Sequence, residues 1–337
     1  NDANPLGGGA PFTTDTALIN LSCTVDASTG FAQVLGNSAS VVWAAASDST
    51  VFYPAVSDAA TVTTSAPAVS KTLVASSEPS TTGTNLAIGE VVRYRLVVRV
   101  PEGGPRVYAL TDVLPAGLQY LNDGTARFAF ISNGGAGITS TAVACANTSG
   151  TTSAIASSAL TCVPVTTNTG AHADGEDPVF TFGNITNSDS DADDEFIVLE
   201  LNALVLNTGS NNPGKVLGNR ASLSAAGNPY NSAVLNVTVV EPNITLAKSV
   251  SPTVADAGDA VTYTVTYTNS NAATSATAYD VSLTDSVPAL QVTVSAPPTV
   301  TLSGGATGIT NNSADNTIAV TVDSIPPGGS VTVTYQG

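Results

Sequence analysis

Three residue types in this chain could build a covalent bond between side chains: a lysine amine, an aspartic acid and an asparagine carboxamide. Lysine is scarce, with three copies in 337 residues, and Lys71 sits in the apolar stretch "APAVSKTLVA". Side chains alternate along a strand, so Val69, Lys71 and Leu73 share one face. An ammonium group is costly to bury alone, so something must neutralise or consume it. In "VYALTDVLP", Tyr108, Leu110, Asp112 and Leu114 share a face, and in "VLGNRASL" Leu217, Asn219, Ala221 and Leu223 share another. Burial lowers a lysine pKa and raises an aspartate pKa, giving a neutral nucleophile beside a proton donor. With Asp112 polarising the Asn219 carboxamide, the Lys71 amine can attack its carbonyl carbon and expel ammonia. An isopeptide bond remains, and fixed proximity supplies much of the rate. The non-covalent alternative is a buried Lys71–Asp112 ion pair hydrogen-bonded to Asn219. A register slip of one residue would instead expose Lys71. Glu90 is a rival acid, but it follows Gly89 at an expected turn, whereas the Asp112 face is apolar.

The same markers occur twice. "VSKTLVASSEP" is echoed by "LAKSVSPTV", "IGEVVRYRLVV" by "AGDAVTYTVTY", "ALTDVLPAG" by "SLTDSVPAL", and "VLGNRASLS" by an earlier "VLGNSASVVW". The period is about 175 residues. Residues 67–241 hold one full set. Residues 1–66 hold only the tail of a unit, with Asn37 in place of Asn219. Residues 242–337 hold only the head, with Lys248 and Asp285. Two explanations fit: a segment of a longer repeat protein, or a part-unit completed by the neighbouring copy through strand complementation. In the second case Lys248 and Asp285 of one copy could meet Asn37 of the next and form an intersubunit cross-link. One detail complicates simple joining, because "TALINLSC" at 16–23 and "SVTVTYQG" at 330–337 both align with "EFIVLELN" at 195–202.

The elements that must position these groups are strands. Short alternating runs such as "VVRYRLVVRV", "VTYTVTYTN" and "IAVTVDSI" are separated by Gly- and Pro-rich breaks, and long amphipathic helical patterns are missing. This predicts an all-β protein built of tandem immunoglobulin-like antiparallel β-sandwiches, one complete and two partial.

At this point the residues resemble the isopeptide-forming, CnaA-like domains of bacterial fimbrial proteins across 67–241. Residues 242–337 are similar to the start of a widespread bacterial surface repeat. The resemblance implies a cross-link between Lys71 and Asn219 assisted by Asp112. It also implies a structural subunit of an extracellular filament, sheath or cell-surface stalk, with other copies of itself as partners. A Ser/Thr/Ala/Gly-rich insertion at 132–175 departs from the family pattern. An adhesin using that insertion as its contact loop is the alternative.

Composition narrows the rest. The net charge is −17, with nine Lys and Arg against 26 acids, so nucleic acid and anionic membranes are disfavoured as partners. No apolar run approaches membrane-spanning length. Cys145 and Cys162 flank a short loop and are expected to form a disulfide in an oxidising compartment. Cys23 has no evident partner and is expected as a buried free thiol. "NITNSDSDADDEF" places Asp189, Asp191 and Asp193 at alternate positions, a candidate Ca²⁺ loop. An EF-hand count from Asp189 ends on Glu200 but puts Asp194 where glycine is required. The single histidine, His172, is expected on a solvent-exposed loop. With no nucleophile elbow, phosphate loop or zinc spacing, an enzyme is not expected. "GGGAPF" at 7–12 reads as a flexible lead-in. Asn20, Asn147, Asn184, Asn236, Asn243 and Asn311 carry glycosylation sequons.

Overall fold

The structure, a computed structural model, describes residues 18–44, 51–134, 137–189, 191–288 and 292–337. The "GGGAPF" lead-in lies outside the described residues. Among the described residues, every regular element is a strand apart from a single 3-10 turn at Ser157–Ala159. No helix among the described residues is long and apolar enough to cross a membrane.

An N-terminal hairpin comprises β1 (Val34–Val41) and β2 (Val56–Thr63), paired antiparallel. A large sandwich follows. Its strands are β3 (Ala68–Ser76), β4 (Asn85–Ala87), β5 (Val91–Val100), β6 (Gly103–Val113), β7 (Leu118–Tyr120), β8 (Arg127–Ile131) and β9 (Ile138–Ser140). They continue as β10 (Asn147–Thr148), β11 (Val165–Thr166), β12 (Val179–Asn187), β13 (Glu195–Val205), β14 (Val216–Ala225), β15 (Asn228–Asn231) and β16 (Leu235–Val240). One sheet runs β10-β8-β13-β5-β3, with β7 against β13. The facing sheet runs β11-β12-β6-β14-β16-β4, with β9 on β12 and β15 on β14.

The alternation in β5 explains the layering. Val92, Tyr94, Leu96, Val98 and Val100 are buried, while Val91, Arg93, Arg95, Val97 and Arg99 face outward and are half-buried. Tyr108 and Leu110 from β6, Phe180 and Phe182 from β12, and Leu217 and Leu223 from β14 meet them in one apolar core. The residues described within the 132–175 insertion do not hang free. Leu160 packs with Ala129, Ile131 and Val198 in a second apolar layer, and Ile155 lies against it. The Cys145–Cys162 disulfide closes this strap. The insertion therefore covers the outer face of β8 and β13.

A smaller sandwich completes the chain, with β17 (Ile244–Ser251), β18 (Thr262–Asn269), β19 (Ala278–Ser286), β20 (Thr299–Ser303), β21 (Thr307–Asn311), β22 (Thr317–Ile325) and β23 (Ser330–Gln336). Its sheets are β17-β18-β23-β20 and β19-β22-β21, closing on Val265, Tyr267, Ile318, Val320, Val331 and Val333. The fold class read from sequence is thus observed.

Three expectations are corrected. Cys23 is free but exposed, because no strand forms around it to bury it. The described part of "TALINLSC" is not a strand, and Leu18, Ile19 and Leu21 are exposed. Of the two segments that align with "EFIVLELN", the one at 330–337 forms the strand, β23, paired with β18. His172 is buried against Tyr120, with ring centroids 4.8 Å apart, because the 170–177 loop folds onto β7.

Candidate functional site

Lys71 lies on the inner face of β3 and points into the sandwich. Its neighbour β5 presents Leu96 opposite it and Tyr94 one pleat away, and the amine sits 4.2 Å from the Tyr94 ring centre. Asp112 reaches the same spot from β6 in the facing sheet. Nζ of Lys71 donates to Oδ1 of Asp112, and neither side chain is exposed. β14 adds Asn219. It pairs with β6 so that Ala221 stands opposite Asp112. Asn219 is then the diagonal neighbour on the same face, a spacing that polar side chains can span.

The site is dry and under-satisfied. Asn219 is fully buried, and neither atom of its carboxamide has a hydrogen-bond partner among the described residues. The same holds for Oδ2 of Asp112 and the hydroxyl of Tyr94. Each such atom costs about 1–3 kcal/mol. Burial pushes the Lys71 amine down from its ordinary range, against the attraction of Asp112. Burial likewise pushes the Asp112 carboxyl up, against the attraction of Lys71. Tyr94 is raised by burial and by Asp112. Desolvation thus favours the neutral amine and the neutral acid, the pair that nucleophilic attack on a carboxamide requires.

The rival Glu90 does not approach this group. It caps its own turn, accepting from Thr81 Oγ1 at 2.8 Å and Ala87 N at 2.7 Å.

The smaller sandwich repeats two thirds of the arrangement. Lys248 on β17 lies 2.5 Å from Oδ2 of Asp285 on β19, with side chains 40% and 15% exposed. Tyr263 stands under the amine at 5.1 Å, as Tyr94 does under Lys71. Tyr335 donates to Oδ2 of Asp285 at 2.5 Å. Here partial burial is outweighed by pairing: Lys248 is held above its usual range and Asp285 below its own. Both shifts favour the charged pair. Asn37 is exposed on β1, and the structure does not bring it to this pair. Tyr94 and Tyr263 were missed in sequence, although "RYRL" and "TYTV" occupy the same repeat position.

A second polar group sits at the β12–β13 turn. Asp189, Asp191 and Glu195 bring ligand atoms within 4.8 Å of one another. Asp193 is not in that trio. Its carboxyl leans on Asp191, which raises its pKa. The EF-hand count fails as well, because Glu200 is committed to Arg93 and Arg95 on β5.

No protein-family model and no curated protein matches the chain. Among solved structures, it is similar to the C-terminal domain of the AgI/II polypeptide BspA of Streptococcus agalactiae. The identity is 11%, the match covers 80% of this chain and 90% of that one, and the TM-score is 0.41. The pilus backbone RrgB of Streptococcus pneumoniae matches at 13% identity over 77% of this chain and 51% of that one, with a TM-score of 0.30. BcpA, the major pilin subunit of Bacillus cereus, matches at 10% identity over 72% and 68%, with a TM-score of 0.33. At these scores the likenesses decide nothing about chemistry.

Proposed function

We propose that the chain is a structural subunit of an extracellular filament, sheath or cell-surface stalk, locked by a Lys71–Asn219 isopeptide bond and joined to its own copies head to tail by strand complementation. The observation that carries this reading is the sealed Lys71–Asp112–Asn219 group, whose carboxamide has no hydrogen-bond partner among the described residues. The neutral Lys71 amine attacks Cγ of Asn219, and a C–N bond forms. Asp112 donates its proton to the departing nitrogen and recovers one from the attacking amine. Ammonia leaves, and the acid ends as it began. The products are a secondary amide and one ammonia, with no other reactant needed. A disulfide in the same unit supports an oxidising, extracellular setting.

Single-molecule stretching tests the reading. The lock ties β3 to β14, so pulling should release the chain outside 71–219 while holding back about 500 Å of contour. Asn219→Ala should restore about 440 Å of that length, the Cys145–Cys162 disulfide keeping back the rest. Release of the same 440 Å or so by the unsubstituted protein would defeat the proposal.

The β12–β13 turn supports a second component of the same reading, a bound Ca²⁺. Glu195 is only 2% exposed, and its Oε1 has no partner among the described residues. Asn187 holds the other oxygen at 2.7 Å, and Ser132 Oγ and Gly134 N hold Asp189. Hard carboxylate oxygens at this spacing suit Ca²⁺. Burial and the neighbouring acids raise Glu195, so affinity should fall as pH drops and the carboxylate protonates. Saturating Ca²⁺ at a hundred times its dissociation constant should add about 2.7 kcal/mol of stability over EDTA. Glu195→Gln should abolish that difference. Identical melting of the native chain in Ca²⁺ and EDTA would exclude the site.

A further inference from the structure

We infer that Tyr94 is a catalytic residue of the cross-linking reaction, its hydroxyl donating to Oδ1 of Asn219 as negative charge gathers there in the tetrahedral intermediate. This deepens the isopeptide reading above and rests on it.

Around Lys71, four buried polar atoms form no hydrogen bond among the described residues: Oδ2 of Asp112, the hydroxyl of Tyr94, and Oδ1 and Nδ2 of Asn219. All three side chains are fully buried. A resting fold is weakened by groups held away from both water and one another, since each is a hydrogen bond lost. The four atoms are complementary, however. Two belong to the carboxamide that the amine attacks, and two belong to groups that can serve it. Oδ1 of Asp112 already accepts from Lys71, so Oδ2 is the oxygen left for the carboxamide. In the reaction above Asp112 protonates the departing Nδ2. Oδ1 of Asn219 then remains, and the Tyr94 hydroxyl is the donor that remains for it. No hydrogen bond holds the resting carboxamide, so none must break for it to take that orientation.

Tyr94 is held firmly for this task. It stands on the inner face of β5, opposite Leu73 of β3 on one side and Leu201 of β13 on the other. Its ring lies under the Lys71 amine, the centre 4.2 Å from Nζ. Burial is the main cause that raises its pKa, Asp112 adds to it, and the neighbouring Asn219 carboxamide acts the other way. The hydroxyl thus feels both the acid and the carboxamide, and it keeps its proton. A donor that does not ionise can stabilise an oxyanion without exchanging a proton with it. Backbone donors are engaged elsewhere: β6 pairs with β12 and β14, and β14 pairs with β6 and β16. A side chain must therefore supply the bond.

The lone pair of the amine forms the new bond at Cγ, and the carbonyl pair moves onto Oδ1. Tyr94 holds that charge by its hydrogen bond. The pair then returns as Asp112 protonates Nδ2, the Cγ–Nδ2 bond breaks and ammonia leaves, and Asp112 recovers the proton of the attacking amine. Charge sits on Oδ1 only in the intermediate, so the hydroxyl acts more strongly there than in the resting state.

The test follows ammonia loss with time in the full chain, made by pulsed cell-free synthesis and quenched in acidic urea for intact-mass measurement. Tyr94→Phe keeps the ring and removes only the donor. It should lose the same ammonia and give the same Lys71–Asn219 linked peptide, about 10²- to 10³-fold more slowly than the native chain. The slowing should be uniform across neutral pH, because the hydroxyl does not titrate there. A structural role is read separately, in an Asn219→Ala background where no bond can form. There Tyr94→Phe should melt no lower, because it removes a buried hydroxyl that has no partner among the described residues. Equal rates for the native and Tyr94→Phe chains, both losing ammonia, would overturn the role of Tyr94 and leave the lock standing. A marked fall of the midpoint in the Asn219→Ala background would also overturn it, making Tyr94 a packing residue. A native chain that loses no ammonia would remove the lock itself, and the role of Tyr94 with it.

Discussion

Each copy of the chain should weigh one ammonia less than its sequence for the Lys71–Asn219 bond. Lys71→Ala, Asp112→Ala and Asn219→Ala should each abolish that deficit. The stability effect should be the largest of any substitution at these strands. An isopeptide between β3 and β14 closes a loop of roughly 150 residues, which the chain-entropy model values at about 5 kcal/mol. Lys71→Ala adds a second loss, because it leaves the buried Asp112 carboxyl without the amine that donates to it. A buried polar group left without its partner costs about 1–3 kcal/mol. Asn219→Ala removes the bond but leaves the Lys71–Asp112 contact, so it should melt below the native protein and above Lys71→Ala. For a unit this size each kcal/mol moves the midpoint by about 2–4 °C, so Asn219→Ala should fall by about 10–20 °C. An unchanged midpoint with unchanged mass would mean that no bond forms.

Glu200→Ala should produce the second large effect. Glu200 is fully buried on β13 and binds two of the three arginines of β5, Arg93 and Arg95. Arg93 Nε donates at 2.6 Å, Arg95 Nε at 2.8 Å, and Ser157 Oγ of the insertion at 2.9 Å. Removing the carboxylate leaves two guanidinium groups facing each other across a space they no longer share. The guanidiniums keep some contact with water, so the cost should fall at the lower end of the range for a broken buried pair, about 3 kcal/mol. The pH dependence has a defined sign. Burial alone would raise Glu200, but the hydrogen bonds from Arg93 and Arg95 outweigh it and hold the carboxyl below its ordinary value. A depressed acid stabilises the fold above its unfolded pKa, and that contribution is lost as pH falls through the folded value. Native protein should therefore lose stability in acid more steeply than Glu200→Ala. Denaturant melts of both proteins from neutral to acidic pH would measure it. Parallel curves would show that the network carries no linked stability.

The alternation in "VVRYRLVVRV" and the markers around Asp112 and Asn219 were legible because a strand has a period of two. Once one face is apolar, every second residue is assigned. The same rule placed Lys71 inside. It could not identify Glu195 as the third acid of the β12–β13 turn. Turns lack a period, and the chain reversal there brings Glu195 back beside Asp189 and Asp191, while Asp193 stays outside that trio. His172 was misplaced for the same reason: a polar loop sequence says nothing about the apolar surface it folds against.

Strand content, the repeat and the pairing of an amine, an acid and a carboxamide on inward faces were determined by the sequence alone, since local alternation and motif order need no knowledge of distant contacts. Whether those groups share one dry space was decided only by tertiary structure, since β3, β6 and β14 come from two sheets and meet through long-range packing. The same packing explains why Lys71 is sealed while Lys248 is wet. β14 stands beside β6 in the large sandwich, whereas among the described residues β19 pairs with β22 alone.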